Sequence, residues 1–260
     1  MNPTTARTPN GLDLTYHQIP PGERLALNAR PEQETALILL SGQLTTALPD
    51  GDYTVERADP FTAPAAGWHL PPGTQATATA GPNGAEVVEV HSPISAAPPE
   101  AKDATAITAP EREVRGSGSF ERHVTTLLQP PQTSGLLLGE TLALDGRWST
   151  YPPHRHQHSN PPAETALQEA FVFRVRPSSG FGVLLTYDES VHDARSTVIT
   201  DTSLATVPHG YHTIAAAAGH DLYYLWTAHG EADTHLALRT DPAHAWLLDS
   251  RPQEPRPLHP

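Results

Sequence analysis

An all-β chain built of antiparallel strands is what this sequence predicts, and three observations carry the prediction. Its 260 residues include 28 prolines and 18 glycines, residues that interrupt helices and mark turns. The hydrophobic fraction is 37%. It is divided among many short apolar runs that lie between turn signals, the pattern of short strands rather than of helical bundles or regular βαβ units. The length suffices for one large domain or two of ordinary size.

The elements follow in order. The first dozen residues are polar, and strand-like pieces begin near Gly22 and continue to His91. TALILLSGQLTTAL (35–48) carries a Ser-Gly-Gln break, read as a turn between two paired strands. DGDYTVERA (50–58) is a short extended piece after a Pro-Asp-Gly-Asp turn. Two further strands are expected on either side of Gly-Pro-Asn-Gly (81–84). His69 and His91 in this half read as surface or hydrogen-bonded histidines. Residues 92–115 are rich in Pro, Ala and charge and are the expected linker, part of which could cross back over the first half. Strand-like runs resume at RHVTTLLQP (122–130) and SGLLLGETLALDGRWSTYPPH (134–154), then at 180–187, 194–199, 203–217 and 221–229. DPAHAWLLD (241–249) reads as a short helix or final strand, and RPQEPRPLHP (251–260) as a frayed tail.

Charge excludes some partners. The formal net charge is −13 and Lys102 is the only lysine, so the surface repels nucleic acid and anionic lipid. With no cysteine, neither disulfides nor thiolate chemistry is available. The N-terminal segment has no apolar targeting core, and no run approaches a membrane span. A cytoplasmic protein without nucleic-acid or membrane partners is the expectation.

The segment 151–175 concentrates the chemistry. His154, His156 and His158 alternate, so an extended chain points all three to one side. Glu169 opens EAFVFRV and shares a strand face with Phe171, Phe173 and Val175. A carboxylate on an apolar face needs compensation, and a metal ion is a natural partner. His212 follows a Pro-His-Gly turn at the start of another apolar run. His154, His156, Glu169 and His212 would form an N3O set suited to one divalent ion: zinc, manganese, iron or nickel. His158, at the end of its strand, reads equally as a group near the site or a spectator, and His209 as a residue flanking the mouth.

An H-x-H pair, a Glu a dozen residues on and a later His after a Pro-x-Gly turn are the pattern of a small metal-binding β-barrel. STYPPHRH (149–156), NPPAET (160–165), GFGVLLTYD (180–188), VPHGYH (207–212), AAAAGHDLYYLW (215–226) and DPAHAWLL (241–248) make the likeness specific. The chain resembles the bacterial 5-deoxy-glucuronate isomerase family of inositol catabolism, within the cupin superfamily. That resemblance implies a bicupin: two antiparallel β-barrel or jelly-roll domains, 1–115 without metal and 116–260 with it. It also implies the same four ligands. The sequence departs from the family at Gln168 and Phe171, where glutamate and tyrosine are usual, and at Ala245, where glutamate is usual.

The implied reaction is an aldose–ketose isomerisation of 5-deoxy-D-glucuronate to 2-deoxy-5-keto-D-gluconate. It calls for a base near neutrality, for which His158, His209 and Tyr223 are the candidates, or for a hydride shift. The substrate carboxylate calls for a cation, and Arg174, Arg176 and Arg195 are nearest to the motifs, with Arg174 of opposite parity to Glu169. A non-catalytic sugar-binding protein and a metal-dependent oxygenase are the alternatives. A homo-oligomer is left open.

Overall fold

The computed structural model describes residues 3–95, 103–108, 112–230 and 236–248. The tail at 251–260 and much of the expected linker, including Lys102, lie outside the described residues. In chain order the strands are β1 (Thr4–Arg7), β2 (Asp13–Ile19), β3 (Arg24–Asn28), β4 (Gln33–Leu48), β5 (Gly51–Arg57), β6 (Ala66–Leu70), β7 (Gln75–Pro93), β8 (Thr105–Thr108), β9 (Glu113–Arg115) and β10 (Arg122–Leu128). They continue with β11 (Leu136–Ala143), β12 (Trp148–Arg155), β13 (Gln168–Arg176), β14 (Gly182–Tyr187), β15 (Arg195–Ile199), β16 (Leu204–Val207), β17 (Tyr211–Ala216), β18 (Asp221–His229) and β19 (Arg239–Thr240). The helical pieces among the described residues are single 3₁₀ turns, one of them Ala245–Leu247 in the expected final element.

Three sheets result. The first, of eight strands, runs β1-β2-β7-β4-β6-β8, with β3 on β7 and β5 on β4. The second runs β16-β13-β18-β11-β10-β9, and the third β15-β14-β17-β12-β19. The neighbours pair antiparallel, as in β4 on β7 and β13 on β18. The expectation of closed barrels is corrected here: each sheet has two ends and none closes on itself. Short strands such as β9 and β19 end the ladders, which limits the exposed edge. Side-chain packing between sheets, rather than a closed ring of hydrogen bonds, covers the apolar faces.

The Ser-Gly-Gln break at 41–43 is not a turn. β4 runs unbroken through it, with register shifts between Leu39 and Ser41 and between Gly42 and Leu44. Gly42 has φ of 96°, which glycine accepts without strain, so the extra residues form bulges that bend the strand. The expected linker also holds structure. β8 pairs with β6, crossing back over the first half, and β9 pairs with β10.

Packing explains which strands are apolar on both faces. One core joins the first and second sheets through Leu14, Ile38, Val88, Leu138, Val172 and Leu225. A second joins the second and third sheets through Leu137, Phe171, Phe173, Leu184, Ile214 and Trp226. A third lies within the curved first sheet. The second sheet is therefore the middle layer, buried on both sides, as parallel-sheet cores usually are. At its centre Arg57 forks onto Glu140 at 2.7 and 3.0 Å, and Tyr223 donates to the same carboxylate at 2.7 Å.

Candidate metal centre

The site forms where the second and third sheets face each other. In the third sheet β12 and β17 pair at Ser149 and Ile214, then at His154 and His212. β12 thus uses five residues where its partner uses two, a wide bulge that re-aims the histidine segment. Thr150, inside the bulge, has φ of 53°, an uncommon left-handed conformation for a β-branched residue. The distortion sets His154 directly across from His212.

Past the end of β12, His156 is fixed by two bonds to one residue. Its Nδ1 lies 3.0 Å from the Leu167 carbonyl, and Leu167 N donates to the His156 carbonyl at 2.8 Å. An Nδ1–H donated to that carbonyl leaves the Nε2 lone pair free to ligate. Nε2 lies 2.9 Å from Glu169 Oε2, and His212 Nε2 lies 3.2 Å from the same oxygen. His156, Glu169 and His212 offer ligand atoms that all lie within 4.8 Å of one another. His154 stands beside this group, its ring 4.8 Å from that of His212 and 6.3 Å from that of His156.

Electrostatics agree with a site for a cation. Burial works to raise the Glu169 carboxyl, but bonds and charge from His156 and His212 hold it far below the usual carboxylate range. Burial lowers His156, and Glu169 more than reverses it, so that ring is raised. His154 is pushed well below its ordinary value by burial and by the two neighbouring rings. His212 is fully buried, and neither of its ring nitrogens has a hydrogen bond of good geometry. An unsatisfied imidazole beside a part-buried carboxylate fits a group that could hold a cation.

His154, His156 and Glu169 line a cleft with Thr150, Tyr224, Trp226, Arg115 and Arg122 in its wall. Tyr224 OH lies 2.5 Å from Ser149 Oγ and 3.1 Å from Thr150 Oγ1. Gly139 makes room for Trp226: a Cβ there would lie 2.2 Å from the indole.

The three expected proton-transfer residues are placed elsewhere. Tyr223 points from β18 to the opposite face of the second sheet, into the core with the first sheet and onto Glu140. Its neighbour Tyr224 takes the cleft side. His158 is exposed, and its backbone N–H bonds Glu164. His209 is exposed, pairs with Asp188 at 3.0 Å and lines a separate surface cleft with Arg195. Arg174 is engaged by Glu86 and Asp201, and Arg176 by Asp221. Strand parity alone could not separate Tyr223 from Tyr224, because both faces of their sheet are buried. The cleft arginines, Arg115 and Arg122, went unnoticed in the sequence. Their signal was a cation two residues before Val124 on one strand face.

A model of the KduI/IolB family matches residues 1–247. The chain belongs to that family. Among relatives, a 5-deoxy-glucuronate isomerase of Geobacillus kaustophilus (strain HTA426) is 34% identical over 140 residues, 54% of this chain and 50% of the relative. One of Bacillus subtilis (strain 168) is 32% identical over 139 residues, 53% of this chain and 51% of the relative. This KduI/IolB chain thus spans about half the length of the curated relatives it matches. The solved structure of an IolB-like protein from Salmonella typhimurium LT2 has a TM-score of 0.83 and 27% identity, covering 91% of this chain and 90% of that one. A Bacillus subtilis oxalate decarboxylase mutant reaches a TM-score of 0.63 at 12% identity, over 92% of this chain and 76% of that one. The second likeness is one of fold alone.

Proposed function

We propose that this KduI/IolB chain is a metal-dependent aldose–ketose isomerase that converts 5-deoxy-D-glucuronate to 2-deoxy-5-keto-D-gluconate. The observation that carries the reading is the meeting of His156 Nε2 and His212 Nε2 on one oxygen of Glu169. It stands beside open wall space and the shared name of the relatives. In this reading His154, His156, Glu169 and His212 hold one zinc, manganese, iron or nickel ion, and the site belongs to the half that follows residue 115. Such an ion supplies Lewis acidity to the substrate's carbonyl and neighbouring hydroxyl oxygens.

The chain's own groups have the remaining tasks. Glu169 supplies the anionic donor, and Leu167 fixes the tautomer and orientation of His156. Moving a proton between adjacent carbons needs an ionisable group in the wall. Tyr224 is that group, its hydroxyl held by Ser149 and Thr150. Val124, Trp226, Leu236 and Leu238 supply apolar wall that excludes water from the reacting carbons.

The test is to incubate metal-loaded protein with 5-deoxy-glucuronate in D₂O and follow product and isotope by NMR. Product carrying deuterium at the former aldehyde carbon is the expected result. Product without deuterium would remove Tyr224 as a proton carrier in exchange with solvent. No product with any divalent ion would end the isomerase reading.

A further inference from the structure

The cleft holds two guanidinium groups whose situations differ. Arg115 and Arg122 are cross-strand partners on β9 and β10. Arg115 is more exposed and is bound through Nε and Nη2 to Glu113, at 3.0 and 2.8 Å. Arg122 is half-buried and, among the described residues, makes no ion pair. Its Nη1 reaches the Phe120 carbonyl at 3.3 Å. The more buried Arg57, Arg155 and Arg174 each face a carboxylate, as a desolvated cation ordinarily must. In a chain of net charge −13, a guanidinium in a cleft wall without a carboxylate of its own suits an anionic ligand.

The local backbone holds Arg122 in that position. Gly116 has φ of 77°, and a Cβ there would lie 2.4 Å from the Phe120 carbonyl and 2.9 Å from Arg122 Nη1. Only glycine lets the loop 116–120 wrap this closely around the guanidinium. On the cleft side, Arg122 shares a strand face with Val124, which lies in the same wall as Glu169 and Tyr224. Burial lowers its pKa; Tyr224 opposes that, and the charge of Arg115 adds to it. A guanidinium remains charged under such pressure.

We infer that Arg122 is the specificity-determining residue that receives the substrate's carboxylate, with Arg115 as a second, more exposed cation. This inference rests on the sugar-acid isomerase reading. A carboxylate pairs with a guanidinium through two parallel N–H···O bonds, which fixes the far end of a sugar acid while its carbonyl end faces the histidine–glutamate group. A neutral analogue would leave the guanidinium unpaired in the wall, and the cleft would reject it.

The experiment compares 5-deoxy-glucuronate with its primary amide, in turnover and in calorimetric binding, on metal-loaded wild type, Arg122→Gln and Arg122→Lys. Wild type should favour the acid by about ten- to a hundredfold, the range of a charge-assisted bond. Arg122→Gln should lose that preference through the KM of the acid, with kcat and the amide's constants nearly unchanged. Arg122→Lys should recover part of it. An Arg122→Gln protein that keeps the wild-type acid-to-amide ratio would overturn the inference and leave the isomerase reading standing. So would a wild type that binds acid and amide equally, a result independent of how the variants fold. Wild type that binds the acid in an Arg122-dependent way yet converts neither compound would end the isomerase reading and uphold the anchor.

Discussion

Replacing Glu140 by leucine tests how the middle sheet is held. Glu140 and Arg57 are 5% and 2% exposed. The guanidinium meets both carboxylate oxygens, at 2.7 and 3.0 Å, and Tyr223 adds a third bond at 2.7 Å. Without the carboxylate, Arg57 keeps only the carbonyls of Leu39 and Ala63, and the Tyr223 hydroxyl loses its acceptor. Removing one partner of a buried pair costs about 3–5 kcal/mol, since the other charge stays desolvated. Tyr223→Phe removes one bond to a charged group and should cost about 1.5–3 kcal/mol. Removing both charges together, as Arg57→Met with Glu140→Leu, should be far milder than Glu140→Leu alone. The assay is urea unfolding followed by circular dichroism and tryptophan fluorescence in parallel, with activity measured on the same samples. A Glu140→Leu cost below about 1 kcal/mol would refute the reasoning. So would a double variant as unstable as the single one. Activity retained in folded Tyr223→Phe would agree with its placement away from the cleft.

Three further outcomes are expected. Glu169→Gln removes the anionic donor, and elemental analysis of protein purified without chelator should show metal per chain falling well below wild type; equal metal content would exclude Glu169 as a ligand. Tyr224→Phe should lower kcat by about a hundredfold or more, the usual contribution of a positioned acid–base group, while thermal melting moves little; an unchanged kcat would remove Tyr224 from the chemistry. Burial works to raise the Glu89 carboxyl, but bonds and charge from His17 and His91 outweigh it and hold it down to about 2, against an ordinary 4.5. A depressed carboxyl stabilises the fold above its unfolded pKa and loses that contribution as pH falls from about 4.5 to about 2, a loss on the order of 3 kcal/mol. Acid unfolding of Glu89→Gln should therefore lack that share of the wild-type pH dependence; superimposable acid curves would contradict the assignment.

The strands were largely legible because short apolar runs between Pro and Gly signals have few other solutions. Sheet closure was not, since it depends on which edges pair across long sequence separations. The same limit appears within single strands. The Ser41-Gly42 break looks like a turn locally, yet both flanks pair with β7 and only a bulge satisfies them. At the site, the alternation of His154 and His156 and the carboxylate on the face of Phe171 were the local features at the place where His156, Glu169 and His212 meet, with His154 beside them. His158 carried the same parity and does not join them: it is exposed, and its backbone N–H is held by Glu164. His69 and His91, expected as surface or hydrogen-bonded histidines, are both bonded: Glu34 reaches His69 from the neighbouring strand, and Glu89 reaches His91 from two residues away on the same strand. The cross-strand partner, Glu34, leaves no local trace at His69.

The first half has a part in the site although it contributes no residue to the histidine–glutamate group. Asn10 N donates to Gln168 Oε1 at 2.8 Å, and Asn10 Nδ2 donates to the His229 carbonyl at 3.2 Å. Gln168 and His229 are cross-strand partners at the end of β13 and β18. The polar N-terminal loop therefore clamps the ladder one residue before Glu169, on the side away from the cleft. Gln168 has its side-chain oxygen engaged as an acceptor from a backbone N–H. With the core between the first and second sheets pressing on Ala170 and Val172, the start of β13 is constrained from its far face. Glu169 consequently meets His156 and His212 from a strand that is already held, the condition under which a ligand set is organised before the ion arrives.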